Sequence, residues 1–323
     1  MKKEKSSKVV FPNFCTRMPF YPLDCCILGA IAEKCAKHLD MPYLEFGFQT
    51  ISNLGFTSLL VSDLVDKITL IGNYRKFHTL YSIFDIEPKS IQEMPLELRL
   101  DEIRENVLML NDGYVKPDLD RNEIAKRVNK ALTDYMEERT GIRFETSDRI
   151  RGFGVLKILY PFALAGNFIL GSEVYLFNSQ SGVLNPFIIG HEFAHRKNRF
   201  KELDAQVWAY LSLLYSNDPI LVQGAKAGRL RSQLLSVASI VDKDKNRAQA
   251  EETKAEAITA YRGLRPELKT DFDRSLIFPL YKRVLAGMVF PIYGLYLLLT
   301  KQRPSDYNSG FTNFLHALEL KKE

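Results

Sequence analysis

The chain has 323 residues, 46% hydrophobic and 26% charged, the composition of a globular protein with a substantial core. Its formal charge of +5 is small for this length and no long basic stripe accompanies it, which argues against nucleic acid as a partner. The four cysteines, Cys15, Cys25, Cys26 and Cys35, fit neither zinc-ribbon nor redox CxxC spacing, so they read as reduced thiols in a reducing, cytoplasmic compartment.

The opening, MKKEKSSKVVFPNFC, is basic, but Pro12 and Asn13 cut its apolar run short and no signal-peptide core is expected. Residues 1–110 alternate short apolar runs with Gly, Pro and Asn, and Thr57–Gly72 reads as an amphipathic helix. Turn residues gather in NDGYVKPDLD, Asn111–Asp120, which marks a boundary. The expected division is an N-terminal helical region of residues 1–115 and a second domain of residues 116–323. Asp118 or Asp120 can cap the helix that follows, where Ile124, Val128, Leu132 and Tyr135 recur at helical spacing.

Between Gly141 and Asn178 the pattern changes. VLKILYPF and FILGSEVYLFNS are short β-branched and aromatic runs broken by Gly and Pro, so strands are expected, with Glu173–Phe177 as an edge strand. From Pro186 onward the pattern is helical almost throughout. The polar run Asp242–Ala257 reads as a solvated helix or loop. Val284–Thr300 is the longest uncharged apolar stretch, but it falls short of the ~20 residues that span a bilayer, and it contains Pro291 and two glycines. A buried helix pair is its first reading and a peripheral membrane contact its second. The expected fold class is α+β, mostly helical, with a small sheet.

Chemistry concentrates in NPFIIGHEFAHRKNRFKELDAQVWAYL, Asn185–Leu211. Asn185 suits an N-cap, Pro186 the first helical position, and Asn198 the left-handed residue that ends a helix. His191 and His195, four residues apart, then share one helix face, where two imidazoles can meet one metal ion. Glu192 can reach the same side and accept a proton from a metal-bound water. A catalytic zinc site needs a third protein ligand and an open position. Glu202, seven residues past His195, supplies that ligand if the KNRF turn folds the next helix back. Ala205 allows close helix approach, and Gln206 is placed to hydrogen-bond a ligand from the outer shell. The alternative is a helix whose polar face merely carries His, Glu and His. Against it, Phe187, Ile188, Ile189, Phe193 and Ala194 cover much of the circumference; a helix that apolar is buried, and its polar groups need partners.

HEFAH followed by ELDAQ resembles the gluzincin arrangement, HExxH with a later E-x-x-A-D/N. NPF, HEFAH and E-x-x-A after AGNFILGSEVYLF are similar to a bacterial domain-of-unknown-function family of proposed zinc metallopeptidases. The resemblance spans roughly Gly152–Asp218. It implies a zincin-like active-site helix pair, Zn2+ held by His191, His195 and Glu202, Glu192 as general base, and a peptide or protein substrate. Gln206 departs from the family's acid or Asn, Asn198 from its common Gly, and the membrane helices with which the family often begins have no clear counterpart.

Other constellations are weaker. His38, His78 and His316 stand alone. A single ExxH does not make a di-iron bundle, and Gly152–Gly154 lacks the third glycine of a dinucleotide loop. RKNRFK, Arg196–Lys201, reads as a solvated turn, or alternatively as an attraction for acidic substrate segments or lipid headgroups. Tyr261, Arg262 and Tyr281 are candidate oxyanion donors. A metalloenzyme with a non-proteolytic reaction and a non-catalytic, metal-stabilised interaction protein remain as rivals.

Overall fold

The computed structural model describes residues 7–13, 16, 22–73, 78–151, 165–168, 173–176, 182–199, 201–241, 247–276 and 309–321. The protein is mostly helical with small sheets, as its sequence leads one to expect. Strand β1 (Ser7–Val10) precedes a long helical hairpin, α1 (Pro22–His38) and α2 (Pro42–Gly72). Then come α3 (Leu80–Phe84), α4 (Leu96–Asp112), α5 (Arg121–Thr140) and β2 (Ile142–Glu145). A second pair of strands, β3 (Ala165–Phe168) and β4 (Glu173–Leu176), leads to α6 (Asn185–Arg196), α7 (Glu202–Leu214) and α8 (Pro219–Val241). The chain continues through α9 (Arg247–Arg262) and α10 (Pro266–Leu276), and its last described element is α11 (Phe311–Leu320).

Helix α5 shows how local signals set an element. The Asp120 side chain accepts hydrogen bonds from the backbone N–H groups of Asn122 (2.6 Å) and Glu123 (3.3 Å), satisfying first-turn donors. Gly141, at φ 69°, ends the helix in the left-handed conformation. Between these caps Ile124, Val128, Leu132 and Tyr135 are all buried. They join Ile189, Phe193, Val207 and Trp208 of α6 and α7 in one core, closed by α11 through Phe311 and Phe314. A second core lies among α4, α8, α9 and α10, built on Leu100, Ile103, Leu230, Leu268 and Phe272.

The boundary expected near residue 115 does not separate two bodies. β1 pairs in parallel with β2, Ser7 against Ile142 through Val10 against Glu145. Val9, Phe11, Leu80 and Phe84 sit in the same core as α5–α7, and α4 packs on α8 and α9. Residues 114–120 are irregular, as their composition demands, but the loop joins parts of a continuous packing.

The edge-strand expectation also needs correction. β4 pairs antiparallel with β3 on one side. On its other side Arg151 N–H donates to Val174 O, and Leu176 N–H to Arg151 O, both at 2.8 Å. β4 is therefore flanked on both sides, and β3 is the outer strand among the described residues, packed beside α6. Asp242–Ala257 is helical from Arg247 on, as α9. Among the described residues no helix is long and apolar enough to cross a membrane. Val284–Thr300, Gly152–Gly154, the VLKILYPF strand, Cys15 and Tyr281 lie outside the described residues.

Candidate metal centre

Helix α6 begins one residue earlier than its sequence suggests. Leu184 takes the cap position with no side-chain hydrogen bond, Asn185 is already helical and Pro186 follows it. The helix ends as expected: Asn198 is left-handed at φ 62°, and Arg199 N–H returns to Ala194 O at 3.0 Å. The chain then reverses into α7. The two helices approach closely because small residues face each other: a methyl added at Gly190 would lie 3.2 Å from Ala209 Cβ.

This crossing brings three ligand-type atoms together inside the protein. His191 Nε2 lies 3.1 Å from His195 Nε2 and 3.1 Å from Glu202 Oε2, and His195 Nε2 lies 3.7 Å from that oxygen. The two rings stand nearly perpendicular, at 88°, and the three ligand-type atoms lie within 4.8 Å of one another. A tetrahedral zinc with bonds of roughly 2.0–2.2 Å spaces its ligand atoms about 3.3–3.5 Å apart, and the observed distances bracket that range. Among the described residues no fourth His, Cys, Asp or Glu joins the group.

His195 is held in the tautomer that a metal requires. Its Nδ1 lies 2.8 Å from the carbonyl oxygen of Arg199. A carbonyl only accepts, so Nδ1 donates and Nε2 is the ring nitrogen left facing the site. Burial opposes a charge on this imidazole, but hydrogen bonding to Glu202 and the charges of Glu202 and Glu192 outweigh it and push the pKa up to about 9. Burial likewise works against the Glu202 carboxylate, yet His191 and His195 hold its pKa well below the usual range. Glu192 is buried beside His191, and its charge reaches His195.

RKNRFK is not a solvated turn. Arg196, Lys197 and Arg199 are each at least 96% buried, while Lys201 is exposed. Arg196 Nη1 donates to Ser147 O (2.8 Å) and Arg149 O (2.9 Å). Lys197 Nζ donates to Thr133 Oγ1 and Phe144 O, both at 2.9 Å, and to Thr146 Oγ1 at 3.0 Å, one acceptor for each ammonium proton. Burial first, then the nearby Arg196 and Arg143 charges, press its pKa down to about 7. Arg199 donates to His78 O at 2.8 Å and lies over the rings of Trp208 and Phe144. Arg196 thus ties the end of α6 to the segment after β2, Lys197 ties the turn to α5, β2 and Thr146, and Arg199 ties it to the backbone before α3.

Gln206 lies one turn beyond Glu202 and is buried, with no hydrogen-bond partner for its Oε1. Tyr261 and Arg262 are on α9; Tyr261 packs against the second core and donates to Asp273. The Arg199 carbonyl escapes sequence reasoning because a backbone group carries no residue signature. Asn198, with its tolerance of positive φ, is the one hint of it. Compared with known proteins, the chain matches no family model, no curated protein and no solved structure.

Proposed function

We propose that this chain is a zinc-dependent hydrolase, a peptidase of the HExxH type with a downstream glutamate ligand. The observation that carries the reading is the convergence of His191 Nε2, His195 Nε2 and Glu202 Oε2 within 3.1–3.7 Å inside an apolar helix pair. Zinc held there would polarise a carbonyl and acidify a water at the open fourth position. Glu192, adjacent to a ligand but outside the ligand set, would serve as the base for such a water and as the acid for the leaving amine. Glu202 would contribute negative charge to partly neutralise the ion, and the Arg199 carbonyl keeps His195 oriented. Strand β3, beside α6, offers main-chain groups to an extended peptide substrate.

The test compares variants of the purified, zinc-reconstituted protein by elemental analysis and by turnover on any peptide that the wild type cleaves. The wild type should carry about one zinc per chain, and His191→Ala should lose it. Glu192→Gln should keep its zinc and lose roughly 10²–10⁴-fold in rate. Glu202→Gln should weaken zinc binding itself. Retention of both zinc and full rate by Glu192→Gln would overturn the assignment.

A further inference from the structure

The hairpin of α1 and α2 packs mainly on itself, tied to the body in part by Asn13, whose backbone N–H and Nδ2 donate to the Asp66 carboxylate at 3.1 and 2.8 Å. Its interior is made of small groups. A methyl at Gly55 would lie 2.4 Å from Pro22 O, and Ser52 Oγ donates to Cys26 O at 2.8 Å. The face of α2 turned toward α1 and the body runs Ser52, Gly55, Leu59, Ser62, Asp66, at alternating spacings of three and four. A second row with the same alternation runs along the opposite face: Leu54, Thr57, Val61, Leu64, Ile68, Ile71. Every member of it is exposed, and its five large apolar side chains are 50–74% accessible. A 3–4 alternation has the 3.5-residue period of a coiled-coil seam, and Val61 and Ile68 at a with Leu64 at d suit a two-stranded one.

We propose that this outward face of α2, Leu54–Ile71, is a dimerisation surface that pairs with the same face of a second copy of the chain. With Tyr43, Phe46 and Leu60 alongside, the face presents on the order of 800–1,000 Å² of side chain per copy. That matches the ~800 Å² each partner contributes to a specific interface, and it exceeds the roughly 300–600 Å² of a typical monomer's largest apolar patch. Charge separates a like helix from a bilayer as the occupant. α2 carries Glu45, Asp63 and Asp66 against Lys67 alone, three acids to one base, whereas a helix lying on a membrane has a polar face rich in Lys and Arg. Lys67 flanks the seam and is paired with Asp63 at 2.8 Å, so no cluster of like charges opposes the pairing.

Sedimentation and light scattering of the full chain across a micromolar concentration series test the proposal. The wild type should approach twice the 37.1 kDa of one chain. Leu64→Glu/Ile68→Glu should weaken association at least ~100-fold with an unchanged circular-dichroism melt at low concentration, because both residues are already in water in the monomer. Phe56→Glu, at an outer position of the same helix, should leave the dimer intact, and Thr57→Leu, which fills the seam's polar position, should tighten it. The proposal fails if the wild type is monomeric throughout, if the double variant associates as well as the wild type, or if the wild type stays monomeric while binding vesicles of neutral or anionic phospholipid.

Discussion

Replacing Gly228 by alanine should destabilise the protein, although alanine is the better helix former. In the interior of α8 the substitution alone would contribute about 1 kcal/mol in favour of the helix. The added methyl, however, would sit 2.2 Å from Phe187 Cγ and 2.5 Å from the ring's two Cδ atoms. Carbon atoms pack at roughly 3.5–4.0 Å, so the ring or its helix must retreat by more than ~1 Å. Phe187 is buried and its ring centroid lies 6.3 Å from that of Phe311, which leaves the ring little room to move within the core. Overpacking of this kind costs about 1–3 kcal/mol, with so short a contact at the upper end, for a net loss of about 1–2 kcal/mol. Phe187 lies one turn before His191 on the same face of α6, so its displacement moves a ligand. A shift near 1 Å at a catalytic group costs on the order of 10²-fold in rate. Denaturant unfolding measures the first effect, and zinc titration with turnover measures the second. Gly47→Ala, where the methyl meets nothing within 4 Å, isolates the propensity gain. A Gly228→Ala protein as stable as the Gly47→Ala protein, with unaltered zinc affinity, would refute the argument.

Asn198 offers a second lever. Asn198→Gly preserves the left-handed turn and should leave the site intact, whereas Asn198→Val strains it by about 1–2 kcal/mol and displaces the carbonyl that orients His195. Zinc affinity, read by chelator competition, should fall roughly 10–100-fold in the valine variant only, and equal affinities would break the link. Acid should unfold the protein through the network around Arg143. Lys8 first, and Arg143, hold Glu145 below its ordinary 4.5 against burial; for Asp134, burial is outweighed by Lys130 and Arg143, which hold it below 3.8. With folded values below the unfolded ones, this stabilisation is fully present above about pH 4.5 and is lost as pH falls through the folded values. Arg143→Met should therefore flatten the decline of stability in that acid window, and an unchanged slope would count against the network.

What the sequence makes legible is local. Helix α5 could be read from its cap, its period and its terminal glycine because all three act within a few residues. The meeting of His191, His195 and Glu202 could be read because two of them are fixed by helical geometry and the third begins the next helix. Pairings between distant segments were not legible. The partner of β2 is 135 residues away, at Ser7–Val10, and the interior position of β4 depends on Arg151 alone, with no periodicity to announce it. The basic run after His195 misleads for the same reason. Charge in a sequence suggests solvent, but these side chains end on carbonyl and hydroxyl oxygens of residues 133–149 and on His78 O. The loop at residues 114–120 shows the limit of turn residues as signals: they mark a change of direction, and only packing decides whether a domain ends there.

The buried cations bear directly on the site. His195 is oriented by the Arg199 carbonyl, and the Arg199 guanidinium lies 5.4 Å over Trp208, a residue of the helix that also carries Glu202. The orienting group of one ligand is thus braced by the element that supplies another. Arg196 holds the end of α6 to the segment after β2, and Lys197 holds the turn to α5 and β2. Three polar groups that would each be costly in an apolar core are held at metal-ligand spacing before any ion arrives. On the proposed reading such a site would bind an ion without first reorganising the helices, and a packing change as remote as Gly228 would reach it through the helices that carry His191, His195 and Glu202.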